Sequence, residues 1–139
     1  MLVVLDTNVL FSAILSSTGS PALIHQSWRG KRFELATCPE QIEGIRRASR
    51  YPRFRAALQP QLFGVLINNM TRAHVFAEPL PNLYTAADPT GSFLLNLAAA
   101  VEAHYLVTGD KRSGMLSLKK IGGTRILTPR QFCEQVLQL

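Results

Sequence analysis

The sequence predicts an α/β fold: a three-layer α/β/α sandwich with a mostly parallel sheet of about five strands, in a single domain over residues 1–139. Short apolar runs alternate with helical patterns along the whole chain, and no repeat or obvious linker interrupts them. A length of 139 residues with 47% apolar content is enough for one core. Strands separated by helices imply right-handed crossovers, and therefore parallel pairing.

The expected strands are short apolar runs, as is typical of strands that are buried on both faces of a parallel sheet. They lie at residues 2–5, 33–37, 74–77, 105–108 and 126–127.

The expected helices fill the intervals between these strands. Three of them begin at a capping residue that is followed by proline, namely Ser20, Asp88 and Thr128. The helices are expected at about residues 7–14, 20–29, 39–49, 60–71 and 88–101, with a weak helix or turn at 111–118 and a C-terminal helix from 128.

The net charge of +6 favours a polyanionic partner, of which nucleic acid is the commonest. The alternative is that the basic residues only solvate the surface. The sequence contains no glycine-rich phosphate loop of the dinucleotide or P-loop kind, which argues against a small-molecule enzyme of those classes.

Several further features bear on the cellular setting. No apolar window is long enough to span a membrane, and the N-terminus lacks the features of a signal peptide, so we expect a cytoplasmic protein without a membrane partner. Cys38 and Cys133 are expected to be reduced and buried. The three histidines are scattered without the spacing of zinc ligands.

Two expected strands each end on an aspartate, Asp6 and Asp110. If the two strands are neighbours, the carboxylates converge at the edge of the sheet where α/β proteins bind ligands. Converging carboxylates repel each other, and a bound Mg²⁺ would relieve the repulsion and could activate water against a phosphodiester. Alternatively, each aspartate caps the helix that follows it. Both interpretations remain open.

The motifs LDTNVLFSAIL, FELATCPE, DP followed by FLLNLAAA, YLVTGDK and RILTP together resemble a PIN domain, from Val3 to about Phe132. More narrowly, they resemble the VapC-like toxins of bacterial toxin–antitoxin pairs. The resemblance implies a metal-dependent endoribonuclease in which an acidic quartet binds Mg²⁺ or Mn²⁺. The matching positions are Asp6 and Asp110 as catalytic metal ligands, with Thr7, Asn8 and Thr108 in support.

The chain departs from the family pattern at two acidic positions, which are Gly44 and Gly91 here, and Arg112 stands where a further acid is frequent. Asp88 is a candidate substitute ligand, although an N-cap role is favoured for it. Glu40, one helical turn before Gly44, could also substitute, but we expect it to be a solvated surface acid.

Two hypotheses about function follow. The first is an endoribonuclease toxin with a cognate antitoxin and, by resemblance, a homodimer. The second is a catalytically inactive PIN domain that binds RNA or a partner protein. Under either hypothesis, the candidate RNA-binding residues are Arg46, Arg47, Lys111 and Arg112, which flank the expected site.

Overall fold

A six-stranded sheet forms the middle layer of the computed structural model, which describes residues 1–139. Its strands are β1 (Leu2–Leu5), β2 (Glu34–Thr37), β3 (His74–Val75), β4 (Tyr105–Val107), β5 (Lys120–Ile121) and β6 (Thr124–Leu127). They are arranged in the order β3-β2-β1-β4-β6-β5. Every pair is parallel except β5 with β6, so the predicted mostly parallel sheet is confirmed.

The helices connect the strands and cover both faces of the sheet. They are α1 (Thr7–Leu15), α2 (Ser20–Arg29), α3 (Pro39–Ala48), α4 (Pro52–Arg55), α5 (Pro60–Thr71), α6 (Pro89–Ala100), α7 (Met115–Leu118) and α8 (Pro129–Gln131). The last helix continues as a π-helix over Phe132–Leu137. No helix is both long and apolar enough to cross a membrane.

Two separate hydrophobic cores show why the fold has three layers. Neighbouring side chains of β1 point to opposite faces, so Val3 and Leu5 join one core while Val4 joins the other. The larger core holds 18 buried residues and receives α1, α2, α3, α5 and the C-terminal segment. The smaller core holds 12 buried residues and receives α6 and α7. The expected α/β/α sandwich is therefore present.

The sequence analysis missed β5, so the sheet has six strands rather than about five. Lys120 and Ile121 pair antiparallel with Arg125 and Thr124 across the intervening Gly122–Gly123 turn. A strand of two residues is too short to show the alternation of apolar and polar residues that predicts a strand. The glycine pair was the available signal, because Gly122 has a φ of +54° that suits a tight turn.

Two further boundaries differ from expectation. The short helix α4 was expected to be only a break after Tyr51–Pro52, but proline at its first position begins a helical turn. The strand expected at residues 74–77 covers only His74–Val75, although the Phe76 amide still donates to the Thr37 carbonyl at 2.8 Å.

The Asn96 side chain forms hydrogen bonds with the irregular segment that precedes α6. Its buried side chain accepts from the Leu83 and Tyr84 amides, both at 2.9 Å, and donates to the Tyr84 carbonyl at 3.0 Å. A connection without regular structure thereby gains partners for its backbone groups. These bonds tie the segment before α6 to the middle of that helix.

Candidate functional site

The two aspartates that follow strands lie at adjacent strand ends. β1 pairs with β4 so that Leu5 is opposite Val107, and the Asp6 amide donates to the Val107 carbonyl at 2.9 Å. The condition on which the site prediction depended, that these strands are neighbours, is therefore met. Both aspartates lie at the carboxyl edge of the sheet, where the crossover connections of parallel α/β folds place ligand sites.

The hydroxyl of Thr108 joins the two aspartates. It donates to Asp6 Oδ2 at 2.7 Å and accepts from the Asp110 amide at 3.1 Å. Thr108 is fully buried, so this bridge is shielded from water and holds the Asp6 carboxylate in one orientation. Thr108 thus positions both carboxyl-bearing segments, which is the supporting geometry expected from the sequence.

Asp6 acts as the N-cap of α1, with Oδ1 accepting from the Asn8 amide at 3.2 Å. The residue is only 3% exposed. Burial raises the pKa of its carboxyl group, while the hydrogen bonds from Thr108 and Asn8 oppose that rise. The neighbouring charges of Asp110 and Asp88 raise the pKa further. The cap role is therefore observed, and both carboxylate oxygens already have a hydrogen-bond partner.

Asp88 and Asp110 also bind nearby backbone amides. Asp88 is the N-cap of α6, and its Oδ1 accepts from the Gly91 amide at 2.6 Å, as favoured from the sequence. Asp110 does not cap a helix, and its Oδ1 accepts instead from the Arg112 amide at 2.8 Å. Each of these two side chains keeps one oxygen without a hydrogen bond from the chain.

Two neighbouring clefts open at this edge and share Asn8 in their walls. The larger, the Asp110 cleft, has a volume of about 780 Å³. It is lined by Asn8, Val9, Ser12, Pro21, Asp88, Gly109, Asp110, Lys111, Arg112 and Pro129. The smaller, the Gly44 cleft, has a volume of about 430 Å³. It is lined by Asp6, Thr7, Asn8, Glu40, Gln41, Gly44, Arg47, Pro89, Thr90 and Phe93.

Gly44 and Gly91, the two glycines singled out in the sequence, differ in their surroundings. A Cβ atom added at Gly44 would meet nothing within 4 Å, so this position in the wall of the Gly44 cleft has space for a side chain. A Cβ atom at Gly91 would lie 2.8 Å from Ala86 Cβ and 3.2 Å from Ser113 Cβ. The backbone at Gly91 is therefore packed too closely for a side chain, whereas Gly44 is open.

The basic candidates do not all face the clefts. Lys111 and Arg112 line the Asp110 cleft, and Arg47 lines the Gly44 cleft. Arg46 instead forms an exposed ion pair with Glu43, with Nη1 and Oε1 2.7 Å apart. Its charge is already paired, so the cleft cations are Arg47, Lys111 and Arg112.

Gln41 is a site residue that the sequence analysis overlooked. Its buried side chain donates from Nε2 to the Leu5 carbonyl at 2.8 Å and accepts from the Thr37 hydroxyl at 2.6 Å. It thereby ties α3 to the ends of β1 and β2, directly before Asp6. The available signal was its place beside Ile42 and Ile45 on the apolar face of α3, where a polar residue needs a partner.

The fold and the site define a class: three-layer α/β proteins with an acidic cleft at the carboxyl edge of a parallel sheet. A family model described as PIN domain matches residues 2–112, and the chain belongs to this family. PIN domains generally have nuclease activity on RNA and typically depend on a divalent metal ion. Neither the comparison with curated proteins nor the comparison with solved structures gave a match.

The carboxylates of this chain do not fit a metal ion held mainly by protein ligands. No group of three or more histidine, cysteine, aspartate or glutamate side chains lies close enough to hold one. The Asp6 oxygens are engaged by Thr108 and Asn8, and no buried polar atom at this edge lacks a hydrogen-bond partner.

Proposed function

We propose that this chain is an RNA-binding PIN domain in which metal-dependent cleavage is weak or lost. The observation that supports it is the composition of the cleft walls. They hold three cations, Arg47, Lys111 and Arg112, while positions 44 and 91 carry glycine. Beside these cations lie four acids, Asp6, Glu40, Asp88 and Asp110. The three cations can bind the phosphate backbone, and the acids do not form the cluster of three or more ligands that a tightly held metal ion needs.

The proposal is tested by RNA binding as a function of salt concentration. We expect the binding constant to fall as salt rises, because each neutralised phosphate releases counterions. Replacing Lys111 and Arg112 together with alanine should weaken binding. It should also reduce the slope of the logarithm of the binding constant against the logarithm of the salt concentration, by roughly 0.7 for each phosphate of a single strand that the variant no longer neutralises. The matched control replaces Lys31 and Arg72 together with alanine, because both line a cleft beside Glu34 at the start of β2, on the opposite edge of the sheet. Equal weakening in both variants would contradict a role for the clefts.

A second candidate function is the metal-dependent endoribonuclease of a toxin–antitoxin pair. The observation that favours it is that Asp6 and Asp110 follow paired strands and share the Thr108 hydroxyl, while the charges of Asp110 and Asp88 raise the pKa of Asp6. If the chain is such a toxin, it also has the cognate antitoxin, the homodimeric state and the cytoplasmic location that were expected from the sequence.

The two candidates are separated by a cleavage assay on a labelled RNA mixture across a titration of Mg²⁺ and Mn²⁺. Cleavage that depends on the metal and is abolished in Asp6→Asn would establish the ribonuclease. RNA binding without cleavage at any metal concentration would support the binding domain.

A further inference from the structure

One face of α3 leads from the Gly44 cleft to a basic surface. Glu40, Gly44 and Arg47 are spaced by four and three residues, which places them on one side of α3. α3 ends at Ala48, and two tighter turns follow it, in which the Arg50 amide donates to the Arg47 carbonyl at 3.2 Å and the Tyr51 amide to the Ala48 carbonyl at 3.0 Å. Tyr51 therefore lies three residues beyond the end of α3, at the N-cap of α4.

Tyr51 is the only exposed aromatic side chain among the eleven in the chain, at 46% exposed. Its hydroxyl makes no hydrogen bond within the chain. The neighbouring Phe54 is not available in the same way, because its ring stacks on Phe11 with centroids 4.6 Å apart. The segment thus buries one aromatic ring for stability and leaves the other at the surface.

The charges around Tyr51 are unpaired. Residues 47–55 contain four exposed arginines and no acidic residue, and none of the four forms an ion pair: Arg47, Arg50, Arg53 and Arg55. The Arg53 guanidinium lies over the Phe54 ring, 4.6 Å from its centroid, which restricts that side chain. An exposed ring among unpaired arginines suits a ligand with flat bases and a charged backbone.

We propose that Tyr51 is a stacking platform for a base of single-stranded RNA, with Arg47 and Arg50 holding the adjacent phosphates. This inference rests on the proposed RNA binding and specifies the form of the RNA. In an A-form duplex the bases are stacked on each other, so none is free to lie on Tyr51. The Gly44 cleft and the Tyr51 platform then form one continuous track for a single strand.

The test compares binding of a 12-nucleotide unstructured RNA with binding of the same sequence as a duplex. Tyr51→Ala should weaken single-strand binding by about 5- to 150-fold, the effect of removing one stacked base, and leave duplex binding unchanged. Tyr51→Phe keeps the ring and should bind like the wild type. Leu83→Ala, which truncates another exposed apolar side chain at 69% exposure, is the matched control. A 2-aminopurine base in the RNA should lose fluorescence on binding to the wild type and to Tyr51→Phe, but not to Tyr51→Ala.

The outcomes separate this inference from the proposed function. If the wild type binds RNA and Tyr51→Ala binds the single strand equally well, the stacking platform is overturned and RNA binding stands. If Tyr51→Ala weakens single-strand and duplex binding equally, stacking is overturned and Tyr51 is left as a contact that both forms of RNA share. If the wild type binds no RNA in either form, the proposed function fails and the platform fails with it.

Discussion

At the scale of single residues, Gly44 and Gly91 differ in the room that each leaves for a side chain. A Cβ atom at Gly44 would meet nothing within 4 Å. A Cβ atom at Gly91 would lie 2.8 Å from Ala86 Cβ and 3.2 Å from Ser113 Cβ. An acidic side chain can therefore be introduced by one substitution at position 44, but not at position 91.

These two glycines give a matched pair of substitutions. Gly44→Ala should raise the free energy of unfolding by about 1 kcal/mol, since alanine is the better residue in a helix interior and its Cβ meets nothing. Gly91→Ala should lower it by about 1–3 kcal/mol because of overpacking. Urea denaturation of both variants is the measurement, and a stabilised Gly91→Ala would contradict the close packing described here.

Asp6 should make stability depend on pH. Because burial raises its pKa above the ordinary value of 3.8, the folded chain keeps a proton that the unfolded chain has released. The contribution of Asp6 to stability is present below pH 3.8 and is lost as pH rises through the folded pKa. Asp6→Asn keeps a capping side chain but removes this titration.

We therefore expect Asp6→Asn to gain stability relative to the wild type as pH rises through that window. Urea unfolding in a buffer with chelator, at steps of pH, measures the difference. Stability curves that stay parallel for the two proteins would show that burial does not shift the pKa of this carboxyl group.

At the scale of elements, Asn96 determines how the segment before α6 is held. Asn96→Ala removes the partners of two amides and one carbonyl in Leu83 and Tyr84. Each hydrogen bond lost contributes about 0.5–1.5 kcal/mol, so we expect a clear loss of stability. Hydrogen exchange at residues 82–87 should also accelerate. Asn68→Ala is the control, because Asn68 is exposed and its side chain forms no hydrogen bond. Similar effects in both variants would contradict this role of Asn96.

The helix and strand positions were largely predictable from the sequence, because capping residues, prolines and apolar periods are local signals. Asp88–Pro89 and Thr128–Pro129 each mark a helix start that is capped as predicted. The predicted cap at Ser20 was wrong, because α2 begins at Ser20 itself, with Gly19 at the N-cap and no side-chain hydrogen bond there. The missed β5 shows the limit of this approach. A two-residue strand exists only because β6 is beside it, and that partner is not visible in a local window.

At the scale of the whole molecule, both thiols report on global unfolding. Cys38 is fully buried, and burial raises its pKa to about 12, while burial also raises the pKa of Cys133. Because the thiolate is the reactive form, neither thiol should react with a disulfide reagent in the folded protein. Both should react in urea, at a rate set by unfolding. One rapidly reacting thiol in the folded protein would mean that its part of the core opens locally.

The sequence by itself determined the order of helices and strands, the parallel central sheet and the two aspartates at strand ends, because each follows from neighbouring residues. Only the tertiary structure decided which of these residues meet. The pairing of β1 with β4 brought Asp6 to Thr108 and Asp110, about a hundred positions away. Packing between distant segments also left no room for a side chain at Gly91 and stacked Phe54 on Phe11 while leaving Tyr51 exposed. Interactions of this kind depend on how the layers assemble, which no local pattern contains.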